Sequence, residues 1–157
     1  KPVQPDIPMW IGGGSKAAIR RTARYGTGWS AGLGTPEELR AIVSEIAATA
    51  QSFGRTIDED HYGTGITFHI GAPDDPTALS AAESFRRRYG RDPRDSHAFG
   101  DAEHLLGRIS AYIDAGISKF ILIPLSQGDD AVLEQTRLVI EQVLPEAAKR
   151  WPKPPRD

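Results

Sequence analysis

The chain has 157 residues and a formal net charge of −2, with 39% hydrophobic and 25% charged residues. This length fits one domain with a buried core, and this charge gives no reason to expect nucleic acid or a membrane surface as a partner. It contains no cysteine, which excludes disulfides and thiolate chemistry and favours a cytoplasmic location. Because Lys1–Pro5 is typical of a linker and lacks an initiating methionine, we expect the chain to be part of a longer protein.

The first predicted element is a short strand, Met9–Ile11, that stops at three glycines and leads into a helix at Ser15. Glycines let a backbone approach a ligand closely, and the first N–H groups of a helix have no partner within it. With the helix dipole, this arrangement favours a bound anion. From these residues alone, Gly12, Gly13, Gly14 and Ser15 are therefore candidates for a phosphate site. The alternative is a tight turn that needs glycine only for its backbone.

Helical and extended patterns then alternate along the chain. The clearest helix start is the capping box at Thr35, Pro36 and Glu38. The apolar run Phe120–Leu125 indicates a strand buried on both faces of a parallel sheet. The other predicted elements are helices at Ser15–Tyr25, Ala78–Tyr89 and Asp101–Ile113, strands at Trp29–Leu33 and Gly65–Ile70, and a last helix between Asp129 and Pro145.

This alternation of strands and helices through four units predicts a parallel α/β fold. Two layouts remain open, a small doubly wound sheet and half of a (β/α)8 barrel. Four strands cannot close a barrel, so the second layout requires a missing half or a second copy of the chain. Residues 1–157 are treated as a single partial domain, in which the pattern is loose at 71–100 and the tail at 152–157 is expected to be disordered.

Three consecutive segments resemble the C-terminal half of the bacterial luciferase-like monooxygenases. They are the strand and turn Ile7–Gly13, the alanine- and arginine-rich helix Ala18–Arg24, and the turn Tyr25–Trp29. Family members carry a Pro-x-Trp-Ile-Gly-Gly strand and then a Gly-Asp-Gly-Trp turn, and Thr27 stands where that aspartate is usual. The similarity covers nearly the whole chain, although only half of the family's fold, and continues through Thr35–Leu39, Gly54–Asp58 and Gly116–Ile121.

The resemblance implies the C-terminal half of a (β/α)8 TIM barrel in an oxidoreductase that uses coenzyme F420 or, alternatively, FMN. The implied reaction is hydride transfer between the cofactor and a small organic substrate, with this half binding the cofactor's phosphate. Residues 71–100 match an insertion that the family places after the seventh strand, near the cofactor. The catalytic residues are expected mostly in the missing half, so their identity stays open.

Three further side chains are predicted to contact the cofactor. Ser30 follows Trp29 and is placed to reach a ribityl chain. His69 lies near the C-terminal end of its strand, where barrel chemistry is found, and its alternative is a hydrogen-bonded structural histidine. Arg91 belongs to a basic cluster that suits a phosphate or the carboxylates of a glutamyl tail, and its alternative is a solvated face. No spacing of ligand side chains indicates a metal site.

A second hypothesis is a non-catalytic half-barrel module that self-associates or binds a phosphorylated ligand. The expected partners are accordingly a small-molecule substrate and either a second copy of the chain, in a homo-oligomer, or the missing N-terminal half. A third hypothesis is that the chain is the phosphate-binding half of an isomerase-type barrel and has no redox role.

Overall fold

A computed structural model describes residue 3 and residues 7–72 and 74–152. The chain divides into two compact units: unit 1 is Lys1–Gly65 with Ala111–Ile121, and unit 2 is Ile66–Ser110 with Leu122–Asp157. The predicted linker at 1–5 and tail at 152–157 lie almost entirely outside the described residues. In chain order, the strands and helices are β1 (Trp10–Gly12), α1 (Lys16–Tyr25), β2 (Gly28–Ser30), α2 (Pro36–Ser52), β3 (Tyr62–Ile70), α3 (Pro76–Tyr89), β4 (Ala98–Gly100), α4 (Ala102–Asp114), β5 (Lys119–Pro124), α5 (Asp129–Leu138) and α6 (Leu144–Arg150).

Unit 1 is built on parallel strand pairs. β1 pairs with β2 so that Trp10 lies opposite Gly28, and β2 pairs with the first residues of β3. The indole of Trp10 lies across two glycines of the neighbouring strands: a Cβ atom on Gly28 would come within 2.7 Å of the ring, and one on Gly63 within 3.2 Å. Glycine at these positions therefore makes room for a flat ring on this side of the strands.

Helix α2 begins as the sequence predicts. The Thr35 hydroxyl accepts from the Glu38 backbone N–H at 3.2 Å, and the Glu38 carboxylate accepts from the Thr35 backbone N–H at 2.8 Å. Gly54, with a φ of +67°, follows the last turn in the left-handed conformation that favours glycine. The buried side chains of α2 are Leu39, Ile46 and Ala50, and α2 packs against α1.

Unit 2 contains the second part of β3, which pairs in parallel with the three-residue strand β4 from Phe68–Ala98 to Ile70–Gly100. The sequence pattern did not predict β4, because three residues are too few to show an alternation. Helix α3 begins slightly earlier than predicted, since the Asp75 carboxylate caps it by accepting the Thr77 N–H at 2.8 Å.

Strand β5 pairs with β3, but the prediction that it is buried on both faces is wrong. Ile121 and Ile123 are 65% and 47% exposed, whereas the alternate residues Phe120 and Leu122 are partly buried. An apolar run predicts a strand without saying what covers its second face. In the described part of the chain, no element covers Ile121 and Ile123.

The predicted end of the last helix before Pro145 is also wrong, because helical backbone continues to Arg150. A π-helical turn, Val139–Val143, joins α5 to α6, and the Leu144 N–H donates to the Val139 carbonyl oxygen across it. Proline lacks an N–H and crowds the preceding turn of an α-helix. The wider π turn just before Pro145 lets the helical backbone continue instead of stopping.

The alternation of parallel strands and helices confirms the predicted α/β class. All four predicted strands are present, although their ends differ from the predicted ends. Within the described residues, no helix combines the length and the apolar character needed to cross a membrane.

Candidate functional site

The glycine turn after β1 is on the surface of unit 1. Gly12, Gly13, Gly14 and Ser15 are all exposed, so the backbone here is accessible to a ligand. Gly13 has a φ of +96°, and its carbonyl oxygen accepts a hydrogen bond from the indole N–H of Trp29 at 2.9 Å. The buried Trp29 thereby fixes the direction of one peptide group of the turn.

The fold itself accounts for at least one of the three glycines. Gly13 occupies a conformation that other residues rarely adopt. A Cβ atom on Gly14 would lie 2.7 Å from Cδ1 of Ile42 on α2, which is the end of a flexible side chain that can shift. Glycine content alone therefore does not distinguish a phosphate site from a structural turn. The exposure of the turn and the positive end of the helix dipole are the features that favour a phosphate site.

Ser15 caps α1 by accepting the Ala18 N–H on its hydroxyl oxygen at 3.2 Å. This bond uses the oxygen as an acceptor and leaves the hydroxyl hydrogen able to donate to an anion. The first turn of α1 contains no acidic residue, and the exposed Lys16 is its first residue. The positive end of the helix dipole is thus not offset by a carboxylate in that turn.

Ser30 lies beside this turn. It is the last residue of β2 and pairs with Gly12, the last residue of β1. A Cβ atom on Gly12 would be 3.5 Å from the Ser30 carbonyl oxygen. Five of the seven predicted cofactor-binding residues therefore lie together at the carboxyl ends of two adjacent parallel strands, where open α/β and barrel folds bind ligands.

His69 and Arg91, the other two predicted residues, belong to unit 2. His69 is only 8% exposed. Its Nδ1 lies 3.4 Å from the Leu125 carbonyl oxygen, and its Nε2 lies 3.4 Å from the Asp75 carboxylate. Both ring nitrogens thus face acceptors of the protein itself, which is the arrangement of a structural histidine, although the ring also lines a groove described below.

Arg91 is exposed, in the basic segment that follows α3. Arg86, in the last turn of α3, and Arg94, in the segment after it, both bind the Asp92 carboxylate, at 3.1 and 2.7 Å. The Arg94 guanidinium, with a smaller contribution from Arg86, holds the pKa of Asp92 well below its usual range. The basic cluster is therefore partly neutralised from within.

One group of metal-ligand side chains, Asp58, Asp60 and His61, has its ligand atoms within 4.8 Å of one another among the described residues. These side chains already have protein partners. Asp60 contacts His61 at 2.5 Å and Lys119 at 3.3 Å, and these contacts lower the pKa of Asp60. The group is an exposed ion-pair network and gives no support to a metal site.

His97 is a buried titratable residue that the sequence analysis did not single out. It is 6% exposed, packs edge-on against Phe85 and Phe99, and its Nδ1 lies 3.0 Å from the Ser96 hydroxyl. Burial lowers its pKa. In the sequence, the apolar residues around His97 in an otherwise basic segment were the signal that could have indicated its burial.

Parallel strands followed by helices define this chain as an α/β protein, with an exposed turn at the carboxyl ends of two strands. The chain belongs to the luciferase-like monooxygenase family, whose family model matches residues 1–121. The resemblance drawn from the strand, turn and helix motifs is thereby confirmed.

Two solved structures have a fold similar to that of this chain. An F420-dependent secondary alcohol dehydrogenase in complex with an F420-acetone adduct has a TM-score of 0.72 at 19% identity, over 92% of this chain and 50% of that chain. The FMN complex of the oxygenating constituent of 3,6-diketocamphane monooxygenase from Pseudomonas putida has a TM-score of 0.60 at 17% identity, over 90% and 49% of the two chains.

An uncharacterized protein of Mycobacterium bovis is 40% identical over 55 residues, which are 35% of this chain and 18% of that protein. The chain therefore spans about half the length of these solved structures and matches a short part of this relative.

Proposed function

We propose that this chain is the phosphate-binding part of an oxidoreductase that uses coenzyme F420, with FMN as the alternative cofactor. The reaction is hydride transfer between the cofactor and a small organic substrate. The observation that carries this proposal is the exposed turn Gly12–Ser15 at the uncompensated N-terminus of α1, in a chain of the luciferase-like monooxygenase family. Two solved structures of this fold contain the same two cofactors, one as an F420-acetone adduct and the other as FMN.

The residues of the turn have separate roles in this proposal. Backbone N–H groups from Gly14 to Ala17 face the phosphate, because the first N–H groups of a helix have no acceptor within it. The Ser15 hydroxyl donates its hydrogen while its oxygen keeps the cap on Ala18. Trp29 holds the Gly13 carbonyl oxygen, which directs that acceptor toward the indole. Ser30 lies next to the turn and contacts the sugar-alcohol chain of the cofactor.

When bound, the cofactor supplies hydride chemistry, and the protein supplies binding, orientation and the exclusion of water. The proposal assigns no proton transfer to Ser15, Ser30 or His69. Both nitrogens of His69 already face protein acceptors, at 3.4 Å each. A positioning role suits that histidine better than direct chemistry.

The test is cofactor binding to the chain and to Ser15→Asp. Aspartate caps a helix about as well as serine, so α1 keeps its cap while a negative charge enters the phosphate site. Thr35→Asp is the matched control, since Thr35 caps α2 in the same way. We expect Ser15→Asp to weaken coenzyme F420 and FMN binding at least about tenfold, and Thr35→Asp to leave it unchanged, in fluorescence titrations at low salt.

Riboflavin, which lacks the phosphate, provides a second control. Its binding should respond equally little to both substitutions. Equal losses of FMN and riboflavin affinity in Ser15→Asp would show that the turn does not hold the phosphate. Redox function is tested separately. A hydride donor is added to a protein that also contains the proposed N-terminal half, and the bleaching of the bound cofactor is measured.

We also propose that helices α5 and α6 pack against a further part of a barrel. Leu133 on α5, Ile140 on the π-helical turn and Leu144 at the start of α6 are 65%, 56% and 51% exposed. The favoured occupant is the other half of the fold, because the solved structures that this chain matches are about twice as long as the matched part. Self-association of the chain is the alternative. If sedimentation shows a dimer, Leu133→Glu with Ile140→Glu should dissociate it.

A further inference from the structure

A groove of about 670 Å³ lies within unit 2, between α3 and α5, at the carboxyl ends of β3 and β5. Its floor is formed by His69 and Leu125, and its two walls are formed by the helices. This α3–α5 groove is distinct from the glycine turn, which belongs to unit 1.

The wall that α3 contributes is unusual for a helix facing a neighbour. Its lining residues are Thr77, Ser80, Ala81 and Ser84, at the spacing that puts side chains on one face. The buried residues of α3 are instead Ala78 and Ala82. The face toward the groove is therefore small and rich in hydroxyls, which leaves space and hydrogen-bonding groups in place of apolar packing.

The opposite wall is held in place by Gln135, which is 7% exposed. Its side-chain oxygen accepts the Ile70 N–H at 2.7 Å, and its amide nitrogen donates to the Ile70 carbonyl oxygen at 2.9 Å. The amide thus replaces a neighbouring strand at the end of β3 and fixes α5 to it. Because this pair of hydrogen bonds is buried, the α5 wall of the groove is fixed to β3.

The groove offers no free charge among its described lining residues. Its carboxylate, Glu134, is bound by Arg137 at 2.6 Å. The adjacent Asp75 carboxylate caps α3 and faces His69. The remaining lining groups are hydroxyls, amides and small apolar surfaces, including Ser126, Gln127 and Ala131. Alternating C–H and O–H groups of a polyol match such a surface, whereas an anion or a cation would find no uncompensated partner.

We propose that the α3–α5 groove binds a small neutral polyhydroxylated molecule, such as a sugar alcohol. The proposal does not rest on the cofactor assignment, since it concerns other residues in the other unit.

The test is an NMR titration of the full 157-residue chain with xylitol, in the absence of any cofactor. We expect saturable shifts of backbone amides at 77–84 and 125–135. Ser80→Ala with Ser84→Ala should weaken binding about tenfold, because two hydrogen bonds to the ligand are lost. Ser44→Ala is the matched control, since Ser44 is an exposed serine of α2.

A second variant keeps the test independent of single hydrogen bonds. Ala131→Trp places a large ring in the groove from an exposed position of α5 and should abolish the shifts. Ala48→Trp, at an exposed position of α2, should leave them unchanged. The absence of saturable shifts in the wild-type groove would overturn the proposal, and so would stronger binding of inorganic phosphate at the same amides. Loss of cofactor binding at the glycine turn would affect neither result.

Discussion

The indole N–H of Trp29 donates to the carbonyl oxygen of Gly13 at 2.9 Å, which ties a buried side chain of β2 to the turn that follows β1. Trp29 is 1% exposed, so its position is set by the core of unit 1. The turn proposed to hold a phosphate is thereby aligned by a residue that is not itself accessible to a ligand.

Trp29→Phe tests this link, because it keeps an aromatic ring and removes the donor. We expect a loss of about 2–4 kcal/mol in the free energy of unfolding, from an unpaired carbonyl and a smaller core side chain. Cofactor affinity should fall as well. Urea denaturation measures the first effect, with the partly exposed Trp151→Phe as the control. Equal stability of the two variants would contradict the expectation.

Gly28→Ala should destabilise unit 1. The added methyl group would lie 2.7 Å from the Trp10 ring and 2.8 Å from the His61 carbonyl oxygen, and backbone cannot move as easily as a side-chain end. We expect a cost of about 1–3 kcal/mol in thermal or urea unfolding. Gly32→Ala is the matched control, since a methyl group there meets no atom within 4 Å. A similar midpoint for both alanine variants would refute the role given to the Trp10 ring.

Gln135→Leu should be costly in unit 2, because it leaves the buried N–H and C=O of Ile70 without their partner. The expected loss is about 2–5 kcal/mol, against little change for the exposed Gln142→Leu. Gln135→Glu sharpens the test: its carboxylate still accepts the Ile70 N–H but repels the Ile70 carbonyl oxygen. Acid should therefore partly restore this variant, as measured by hydrogen exchange of the Ile70 amide.

The stability of unit 2 should fall as the pH drops below the ordinary histidine pKa of about 6.5. Burial lowers the pKa of His97, so the folded state binds its proton less readily than the unfolded state does. The stabilisation is fully present above that ordinary value and is lost as the pH falls toward the lower folded value. His97→Gln should flatten the urea midpoint between about pH 8 and pH 5. The same slope in His97→Gln and in the exposed His104→Gln would argue against this cause.

The sequence predicts elements best where local chemistry decides the backbone. The capping box at Thr35 involves only neighbours along the chain, and the structure contains it. The same holds for the cap at Ser15 and for the left-handed Gly54 after the last turn of α2. The glycine turn was likewise found from a local pattern. The exposure of this turn could not be predicted from the sequence, because accessibility depends on how other segments pack.

The errors arise where distant contacts decide. Helical backbone passes Pro145 because a π turn precedes it, and β5 is exposed on one face because no described element covers it. The Gln135 bridge to Ile70 spans 65 residues and has no local signature. The burial of His97 depends on its contacts with Phe85 and Phe99, which the sequence pattern does not reveal.

The exposure of Ile121 and Ile123 also affects how β5 finds its place beside β3. The residues Phe120 to Pro124 of this strand are all apolar, so a slip by one position would exchange one apolar set for another at little energetic cost. Polar anchors at the two ends must supply the missing information. Ser118 does so with both its amide and its hydroxyl on the Tyr62 oxygen, and Leu125 does so with its amide on the Phe68 oxygen. The hydroxyl of one small serine thus helps to encode the alignment of a strand whose hydrophobic pattern leaves it ambiguous.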